Sequence, residues 1–312
     1  CHFGPQGWIA SQSANGCQRY IVLLPRQMVL GVTQTKIDTG TILRRGLRRM
    51  TDKTSKSPLD DFYTVEFIIK KERFYGQGYF SSGGETATKD LLLRAGLQPN
   101  EKVLDVCCGQ GGPAMYMARH YGVQVHAIDF SQNLINLGKK RLAACEPIVQ
   151  QRVKLEFGDI TKVQLKPKYY DVLYSKDSIT MIENKDKVYE NLMSAVRPGG
   201  RLFFSDWCFA APNTANLSNG PGYQIKAAHG ATVSDNVQCM EAAGFKNVKT
   251  EDISKNMINY LEFALKQLVA TKQAFIQDFD SESYQSIEDR ISGRIVRLKK
   301  GTTQWVLFTA TA

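Results

Sequence analysis

The chain has 312 residues, of which 43% are hydrophobic and 22% are charged, and these proportions are ordinary for a globular protein. No window contains the roughly 18 uninterrupted apolar residues that a membrane-spanning helix needs, so no membrane span is predicted. The net charge is +10, but the excess of Lys and Arg is concentrated in residues 1–49, so a nucleic-acid partner is not predicted. Seven cysteines without regular spacing argue against a disulfide framework and for a reducing, cytoplasmic location.

Residues 1–49 show no stable hydrophobic period, almost no acids and an Arg-rich end. A transit peptide, a disordered arm and sequence from outside the mature protein all match this composition. We predict the last of these, an unstructured or non-native leader, because Met50-Thr-Asp-Lys-Thr resembles a natural start. No catalytic role is assigned to this segment.

Residues 50–96 are predicted to form an N-terminal helical segment. A first helix is predicted over residues 60–70, where the apolar residues share one side, and the Gly- and Ser-rich run 74–84 interrupts it. A second helix is predicted from Glu85 to a stop at Gly96.

The stretch that predicts the fold is Lys102-Val-Leu-Asp-Val-Cys-Cys-Gly-Gln-Gly-Gly-Pro113. A short apolar strand contains a carboxylate, Asp105, a Gly-rich turn follows, and a helix starts at Pro113 and stops at Gly122. Because glycines carry no side chain, the turn can be sharp and a ligand can approach the main-chain N–H groups at the helix N-terminus. The pattern is typical of nucleotide-binding α/β proteins, although many of them share it.

A second buried strand runs from Val123 to Ser131 and brings an acid, Asp129, 24 positions after Asp105. A carboxylate at the end of the second strand can accept hydrogen bonds from the ribose hydroxyls of an adenosine ligand. The acid that leads into the Gly-rich turn would repel a pyrophosphate, but it can accept hydrogen bonds from an ammonium group. The pattern therefore favours S-adenosylmethionine over NAD as the cofactor.

Three further segments continue the α/β series. Gly158-Asp-Ile160 follows a strand, and its acid can accept a hydrogen bond from an adenine amino group. A fourth strand is predicted over residues 171–177 and a fifth over 201–206, directly after Val196-Arg-Pro-Gly-Gly200.

The C-terminal part starts with a loop insertion on the substrate side, residues 211–232, which is rich in Asn, Gly, Ser and Pro. A helix is predicted from Thr232 to Gly244, a strand over 245–251 and helical structure over 255–279. The closing run 304–310 is predicted to be the last edge strand of the sheet.

Together these motifs, in this order and spacing, resemble the class I S-adenosylmethionine-dependent methyltransferases. The resemblance implies an α/β fold with a Rossmann-like seven-stranded sheet, helices on both faces and a helical lid. It assigns residues 97–312 to the methyltransferase domain and residues 50–96 to a lid over the cofactor.

A narrower resemblance, to the phosphoethanolamine N-methyltransferases, extends from about Leu59 to the C-terminus. It is carried by Tyr63, Tyr79-Phe-Ser-Ser-Gly-Gly84, the Gly-rich turn, Tyr174-Ser-Lys-Asp177, Ser205-Asp-Trp-Cys208 and Trp305-Val-Leu-Phe-Thr-Ala. Members of that family methylate phosphoethanolamine successively to phosphocholine without a metal. The resemblance therefore implies an enzyme that acts on a small phosphobase, and we expect a monomer in the cytoplasm.

The resemblance also assigns roles to single residues. Tyr63 corresponds to the tyrosine of the family's Tyr/His pair, which deprotonates the substrate amine, and Asp177 is expected to contact the substrate ammonium. Trp207 and Arg294 are expected to bind the substrate, where the family has a tyrosine and a lysine. The residues expected to bind the cofactor are Ser81, Ser82, Asp105, Gly109, Gly111, Asp129, Phe130, Asp159, Ile160 and Ser175.

Three other parts of the sequence depart from the family pattern. Met181 stands where the family has its histidine, and a thioether cannot accept the proton. Cys107 replaces the first glycine of the turn, which costs on the order of 1 kcal/mol if the backbone there needs a positive φ. Ala227-Ala228-His229 stands near the family's phosphate-binding arginine, and we hypothesise that His229 is a surrogate base, although an isolated loop histidine is more often simply solvated.

Two alternatives remain open. The first is a methyltransferase for another small molecule, because the Gly-rich turn also resembles that of sterol and tocopherol C-methyltransferases. An apolar substrate pocket without phosphate affinity would favour it. The second is a cofactor-binding homologue that has lost catalysis, which Cys107 and Met181 together would explain.

Overall fold

A computed structural model describes residues 63–211 and 230–312. The strands are β1 Lys102–Val106, β2 Gln124–Asp129, β3 Val153–Phe157, β4 Tyr170–Lys176, β5 Val196–Phe209, β6 Lys246–Asp252 and β7 Thr303–Thr311. The helices are α1 Val65–Tyr75, α2 Gly84–Arg94, α3 Gly112–Tyr121, α4 Gln132–Leu142, α5 Pro147–Arg152, α6 Lys185–Ala195, α7 Val233–Ala242, α8 Ser254–Ala270, α9 Lys272–Asp278 and α10 Ser281–Lys299. A 3₁₀ turn, Ile179–Met181, follows β4. The predicted leader 1–49 and most of the predicted loop 211–232 lie outside the described residues.

All seven strands belong to one sheet, in the order β3-β2-β1-β4-β5-β7-β6. The first five strands pair in parallel and β7 runs antiparallel to both of its neighbours, so the predicted seven-stranded α/β fold is confirmed. The chain order reverses between β1 and β4, because β2 and β3 lie on one side of β1 and the later strands on the other. In open α/β sheets, ligands bind in the crevice at the carboxyl ends of such strands.

Alternate residues of the central strands contribute to separate cores on the two faces of the sheet. On β1, Val103 joins the cluster that includes Met117 of α3 and Leu261 of α8. The next residue, Leu104, joins the cluster that includes Leu192 of α6 and Met240 of α7. Helices therefore cover both faces, as predicted, and the central strands are buried on both sides.

The prediction that the last strand is an edge strand is wrong. β7 pairs with β5 from Arg201↔Thr311 to Phe209↔Thr303, and with β6 along its other side. Side chains on both of its faces are buried, with Trp305 and Phe308 each only 1% exposed. The continuous apolar run of this segment is the pattern of an interior strand, whereas an edge strand usually alternates.

The predicted helix 60–70 corresponds to α1, which begins at Val65, and positions 60–62 of the predicted range lie outside the described residues. Thr64 is the N-cap residue, and its hydroxyl accepts a hydrogen bond from the Phe67 N–H at 3.2 Å. The helix then continues to Tyr75, which is five residues beyond the predicted end. The capping hydroxyl, rather than the apolar spacing, sets the start of this helix. Within the described part of the chain, no helix combines the length and the apolarity that crossing a bilayer requires.

The interior position of β7 can be tested by truncating a side chain. We expect Phe308→Ala to lower the free energy of unfolding by about 3–5 kcal/mol, because it opens a cavity in a packed core. The partly exposed neighbour Thr309 is the matched control, and Thr309→Ala should cost less than about 1 kcal/mol. Denaturant unfolding measures both values, and equal small losses would contradict the interior placement.

Candidate functional site

A cavity of about 910 Å³ lies at the carboxyl ends of the central strands. Its lining comes from the segment before β1, the Gly-rich turn, the ends of β2 and β4, and one face of α10. The sheet therefore places side chains from distant parts of the sequence around one space at the point where the strand order reverses.

Most of the predicted site residues line this cavity. They are Tyr63, Ser81, Ser82, Asp105, Gly109, Asp129, Phe130, Asp159, Ile160, Asp177, Trp207 and Arg294. Two others do not line it. Gly111 packs against β3, where an added Cβ would lie 2.6 Å from Leu155 Cδ2, and the Ser175 hydroxyl donates a hydrogen bond to the Val106 carbonyl at 2.8 Å. His229 lies outside the described residues.

The Gly-rich turn is held by the carboxylate at the end of β2. The Gly109 N–H donates to Asp129 Oδ2 at 2.8 Å, and the Ser131 N–H donates to Oδ1 at 2.9 Å. Three turn residues have a positive φ, namely Cys107 with 57°, Gly109 with 59° and Gly111 with 74°. The backbone at Cys107 therefore does have a positive φ, the condition under which a side chain at this position is unfavourable. This left-handed conformation is strained for a residue with a Cβ.

Asp105 is a buried carboxylate without a counter-charge in the described structure. It is 2% exposed, and its Oδ2 has no hydrogen-bond partner among the described residues. Burial, and secondarily the charge of Asp129, raises the pKa of Asp105 well above its usual range. Such a group indicates a ligand that brings a positive charge or a hydrogen-bond donor into the cavity.

Asp159 lies at another part of the cavity and is kept ionised by its neighbours. Its Oδ1 accepts hydrogen bonds from the N–H and the hydroxyl of Thr161, at 2.9 and 2.7 Å, and Lys162 pairs with Oδ2 at 3.0 Å. Partial burial alone would raise the pKa of Asp159, but these hydrogen bonds lower it. Asp159 is therefore an acceptor at neutral pH.

A buried lysine connects the end of β4 with the segment before β1. Lys176 Nζ donates to Ser81 Oγ at 2.6 Å and to the Ser82 carbonyl at 2.8 Å, and it pairs with Asp177 Oδ2 at 3.2 Å. Burial lowers the pKa of Lys176, although the Asp177 carboxylate opposes that shift. The Trp305 indole N–H donates to the other oxygen of Asp177 at 2.6 Å. This network fixes Asp177 at the cavity wall with a φ of 63°.

Tyr63 also lines the cavity, close to Cys107 of the Gly-rich turn. Its ring packs edge-on against Phe80 with the centroids 5.3 Å apart. Burial raises the pKa of the Tyr63 hydroxyl, and the nearby Asp129 and Cys107 raise it further. The hydroxyl therefore stays protonated at neutral pH.

The face of α10 toward the cavity carries three arginines, at positions 290, 294 and 297. The Arg294 guanidinium donates to the Ser82 hydroxyl and lies 5.5 Å from the centroid of the Trp207 ring. Among the described carboxylates, none forms an ion pair with Arg290 or Arg294. Burial lowers the pKa of Arg290, and the positive charge of Arg294 lowers it further. Two half-buried like charges one helical turn apart indicate an anionic ligand.

Arg290 and Arg297 are not among the predicted site residues, because no helix is predicted over residues 281–299. The signals were present. Asp280 caps the helix by accepting a hydrogen bond from the Ser283 N–H at 2.6 Å. Buried apolar residues then recur at helical spacing, namely Tyr284, Ile287, Ile291, Ile295 and Leu298. Lys71, which also lines the cavity, was missed as well.

The sequence matches the family model of a methyltransferase domain over residues 97–263. It is 32% identical over 253 residues to phosphoethanolamine N-methyltransferase 1 of Zea mays. The aligned region covers 80% of this chain and 49% of the relative. It is also 31% identical over 253 residues to phosphoethanolamine N-methyltransferase of Plasmodium falciparum, which covers 80% of this chain and 92% of the relative. The chain thus spans about half the length of the maize relative it matches and nearly the whole of the Plasmodium relative.

Among solved structures, the fold matches Haemonchus contortus phosphoethanolamine N-methyltransferase 2 in complex with phosphomonomethylethanolamine and S-adenosylhomocysteine. The TM-score is 0.73 at 21% sequence identity, and the match covers 81% of this chain and 58% of the other. A cyclopropane synthase of Mycobacterium tuberculosis matches with a TM-score of 0.65 at 13% identity, over 82% of this chain and 99% of the other. These likenesses confirm the predicted class of fold.

The strained turn residue gives a test of backbone conformation. We expect the Cys107→Gly variant to be more stable than Cys107→Ala by about 1 kcal/mol, because only glycine adopts a positive φ without a clash of its Cβ. Alanine is the matched control, since it also removes the thiol but keeps the Cβ. Denaturant unfolding of the two variants measures the difference, and an alanine variant as stable as the glycine variant would contradict the assigned backbone.

Proposed function

The chain belongs to the phosphoethanolamine N-methyltransferase family, and from this premise we propose that it methylates the nitrogen of phosphoethanolamine, or of its mono- and dimethyl forms, with S-adenosylmethionine as methyl donor. One observation carries the proposal. A single cavity has an uncompensated carboxylate, Asp105, in one part and the arginine pair Arg290 and Arg294 in another. The first suits the cationic end of the cofactor, and the second suits the phosphate of a phosphobase.

The residues present fit the cofactor. Asp105 supplies an unpartnered acceptor for an ammonium group, and Asp129 and Asp159 are acceptors for the ribose hydroxyls and the adenine amino group. Gly109 leaves open space beside the turn, since an added Cβ would meet nothing within 4 Å. When bound, S-adenosylmethionine supplies a methyl group activated by its sulfonium. The protein aligns the two reactants, excludes water and provides a hydrogen-bond acceptor for the amine.

The arginine pair on α10 supports a phosphorylated substrate over an apolar one. A guanidinium can bind phosphate through two parallel hydrogen bonds, and two guanidiniums balance the charge of a dianion. Contacts with the Trp207 ring and the Ser82 hydroxyl hold Arg294 in place. A sterol or tocopherol substrate would leave these charges uncompensated, so the sterol-type alternative is disfavoured.

The substrate amine, with a pKa near that of lysine at about 10, must lose a proton before it attacks. Tyr63 holds its own proton at neutral pH, since burial raises its pKa, so it does not act as a preformed base. The amine therefore releases its proton to water and binds in the neutral form. The Tyr63 oxygen can accept a hydrogen bond from the amine and orient it, and Asp177, paired with Lys176, also lines the cavity. Met181 occupies the position of the family's histidine, in the 3₁₀ turn after β4.

The partners and the location complete the proposal. We take the enzyme to be a monomer that acts on a small molecule in the cytoplasm. The cysteines at 107, 108, 145, 208 and 239, which are those in the described residues, are free thiols, which supports a reducing compartment.

The first test is methyl transfer from labelled S-adenosylmethionine to phosphoethanolamine and to its mono- and dimethyl forms. We expect product with at least one of the three, and the preferred substrate identifies the methylation step that the chain performs. Binding of S-adenosylhomocysteine without transfer to any of them would indicate another substrate or the degenerate homologue. Absence of cofactor binding would remove the methyltransferase proposal altogether.

Removing the guanidinium of Arg294 tests the phosphate site. We expect Arg294→Met to raise KM for the phosphobase by about 10- to 100-fold, because a hydrogen bond to a charged group contributes about 1.5–3 kcal/mol. Affinity for S-adenosylhomocysteine should stay within about twofold. Lys299→Met, on the same helix but outside the cavity lining, is the matched control and should leave both values unchanged. An unchanged KM in Arg294→Met would place the phosphate elsewhere.

Removing the Tyr63 hydroxyl tests the handling of the amine. We expect Tyr63→Phe to lower kcat by up to about 10²-fold, because the amine loses the hydrogen bond that orients it and a misplacement of about 1 Å can cost that much. Because the Tyr63 pKa is raised, the wild-type rate should increase with pH toward the pKa of the amine, without a decline from Tyr63 ionisation in the neutral range. Steady-state kinetics from pH 6 to 9 measure both effects, and unchanged turnover in the variant would exclude Tyr63 from the mechanism.

A further inference from the structure

Three residues that line the cavity carry buried polar atoms without a hydrogen bond in the described part of the chain. They are the Asp105 carboxylate oxygen Oδ2, both amide atoms of Gln110, and the Tyr174 hydroxyl. Gln110 and Tyr174 are each 1% exposed. Buried polar groups are nearly always paired, and leaving one unpaired is unfavourable by about 1–3 kcal/mol. Three such groups around one cavity therefore indicate a ligand that pairs with them.

The sheet places two of these groups side by side. Asp105 on β1 is the register partner of Tyr174 on β4, so the two side chains stand on the same face of adjacent strands. Burial raises the pKa of Tyr174, and the charge of Asp105 raises it further. The two groups therefore lie within electrostatic reach of each other. Gln110 lies in the Gly-rich turn directly after β1, between Gly109 and Gly111.

The obvious cation of this region is not available to a ligand. A lysine ammonium has three donors, and Lys176 directs its bonds to Ser81, Ser82 and Asp177. A ligand carboxylate in this part of the cavity therefore has to find other donors. The Gln110 amide and the Tyr174 hydroxyl are buried donors of the cavity that make no bond to described residues.

We propose that Gln110 and Tyr174 bind the carboxylate of the cofactor's amino-acid end, beside Asp105, which binds its ammonium. The inference rests on the proposed function, because it assumes S-adenosylmethionine as the cofactor. In a zwitterionic amino acid the ammonium and the carboxylate are attached to the same carbon. One ligand group can therefore pair with an acceptor and two donors that lie together. The ammonium also offsets the charge of the buried Asp105 carboxylate.

The test compares two ligands that differ in the amino-acid end. S-adenosylhomocysteine carries the ammonium and the carboxylate, whereas 5′-methylthioadenosine has the same nucleoside and thioether without either. Titration calorimetry on the full chain gives Kd for both ligands with the wild type, Gln110→Leu and Tyr174→Phe. These replacements keep the approximate side-chain size and remove only the polar atoms. Tyr75→Phe is the matched control, because the Tyr75 hydroxyl is also buried and unpartnered in the described structure but does not line this cavity.

We expect Kd for S-adenosylhomocysteine to rise about tenfold or more in each variant, since a hydrogen bond to a charged group is lost. Kd for 5′-methylthioadenosine should stay within about twofold, which also reports that the variants fold. The midpoint of thermal unfolding without ligand should stay the same or rise by about 2–4 °C, because an unpaired buried group has been removed. A purely structural role would lower it. Tyr75→Phe should leave both dissociation constants unchanged.

Two results would overturn this inference without contradicting the proposed function. One is an equal loss of affinity for both ligands, which would mean that the residues shape the nucleoside site. The other is unchanged affinity for S-adenosylhomocysteine in both variants, which would leave the proposed function intact. If the wild type binds neither ligand, the proposed function and the inference fail together.

Discussion

The buried ion pair between Lys176 and Asp177 connects the parts of the molecule that surround the cavity. Lys176 reaches the serines that precede α2, and Asp177 receives the indole N–H of Trp305 from β7. A pair this deeply buried is stable only when its remaining donors and acceptors are satisfied. Here the serines before α2, Trp305 of β7 and the Ser205 hydroxyl of β5, which donates to Asp177 Oδ1 at 3.4 Å, satisfy them. The placement of the segment before β1 over the cavity thus depends on an antiparallel strand near the C-terminus.

The class of fold was predictable because its signals are local. The strand, the Gly-rich turn and the acid at the end of β2 are read from neighbouring residues, and each took the predicted position. The position of β7 was not predictable in this way, because sheet order depends on which strands pair across long separations. Its continuous apolar run is the local sign that this strand lies in the interior of the sheet.

The candidate site was partly predictable for the same reason. Residues tied to the Gly-rich turn and to strand ends could be placed, whereas Arg290 and Lys71 reach the cavity through helix packing, which sequence spacing does not encode. Strain was visible only in the structure. Cys107 and Asp177, which line the cavity, have a positive φ, and so do Asn100, Lys168 and Asn247 elsewhere in the described residues, so a positive φ alone does not identify the site.

The two contacts on adjacent serines have a kinetic consequence. Ser81 is bonded by Lys176 from the sheet, and Ser82 by Arg294 from α10. If this segment covers the cofactor, both contacts have to open each time the spent cofactor leaves. In the proposed function Arg294 also binds the phosphate, so the methylated phosphobase would lose one of its contacts at the same moment. Such coupling would favour distributive methylation, in which partly methylated intermediates return to solution between turnovers.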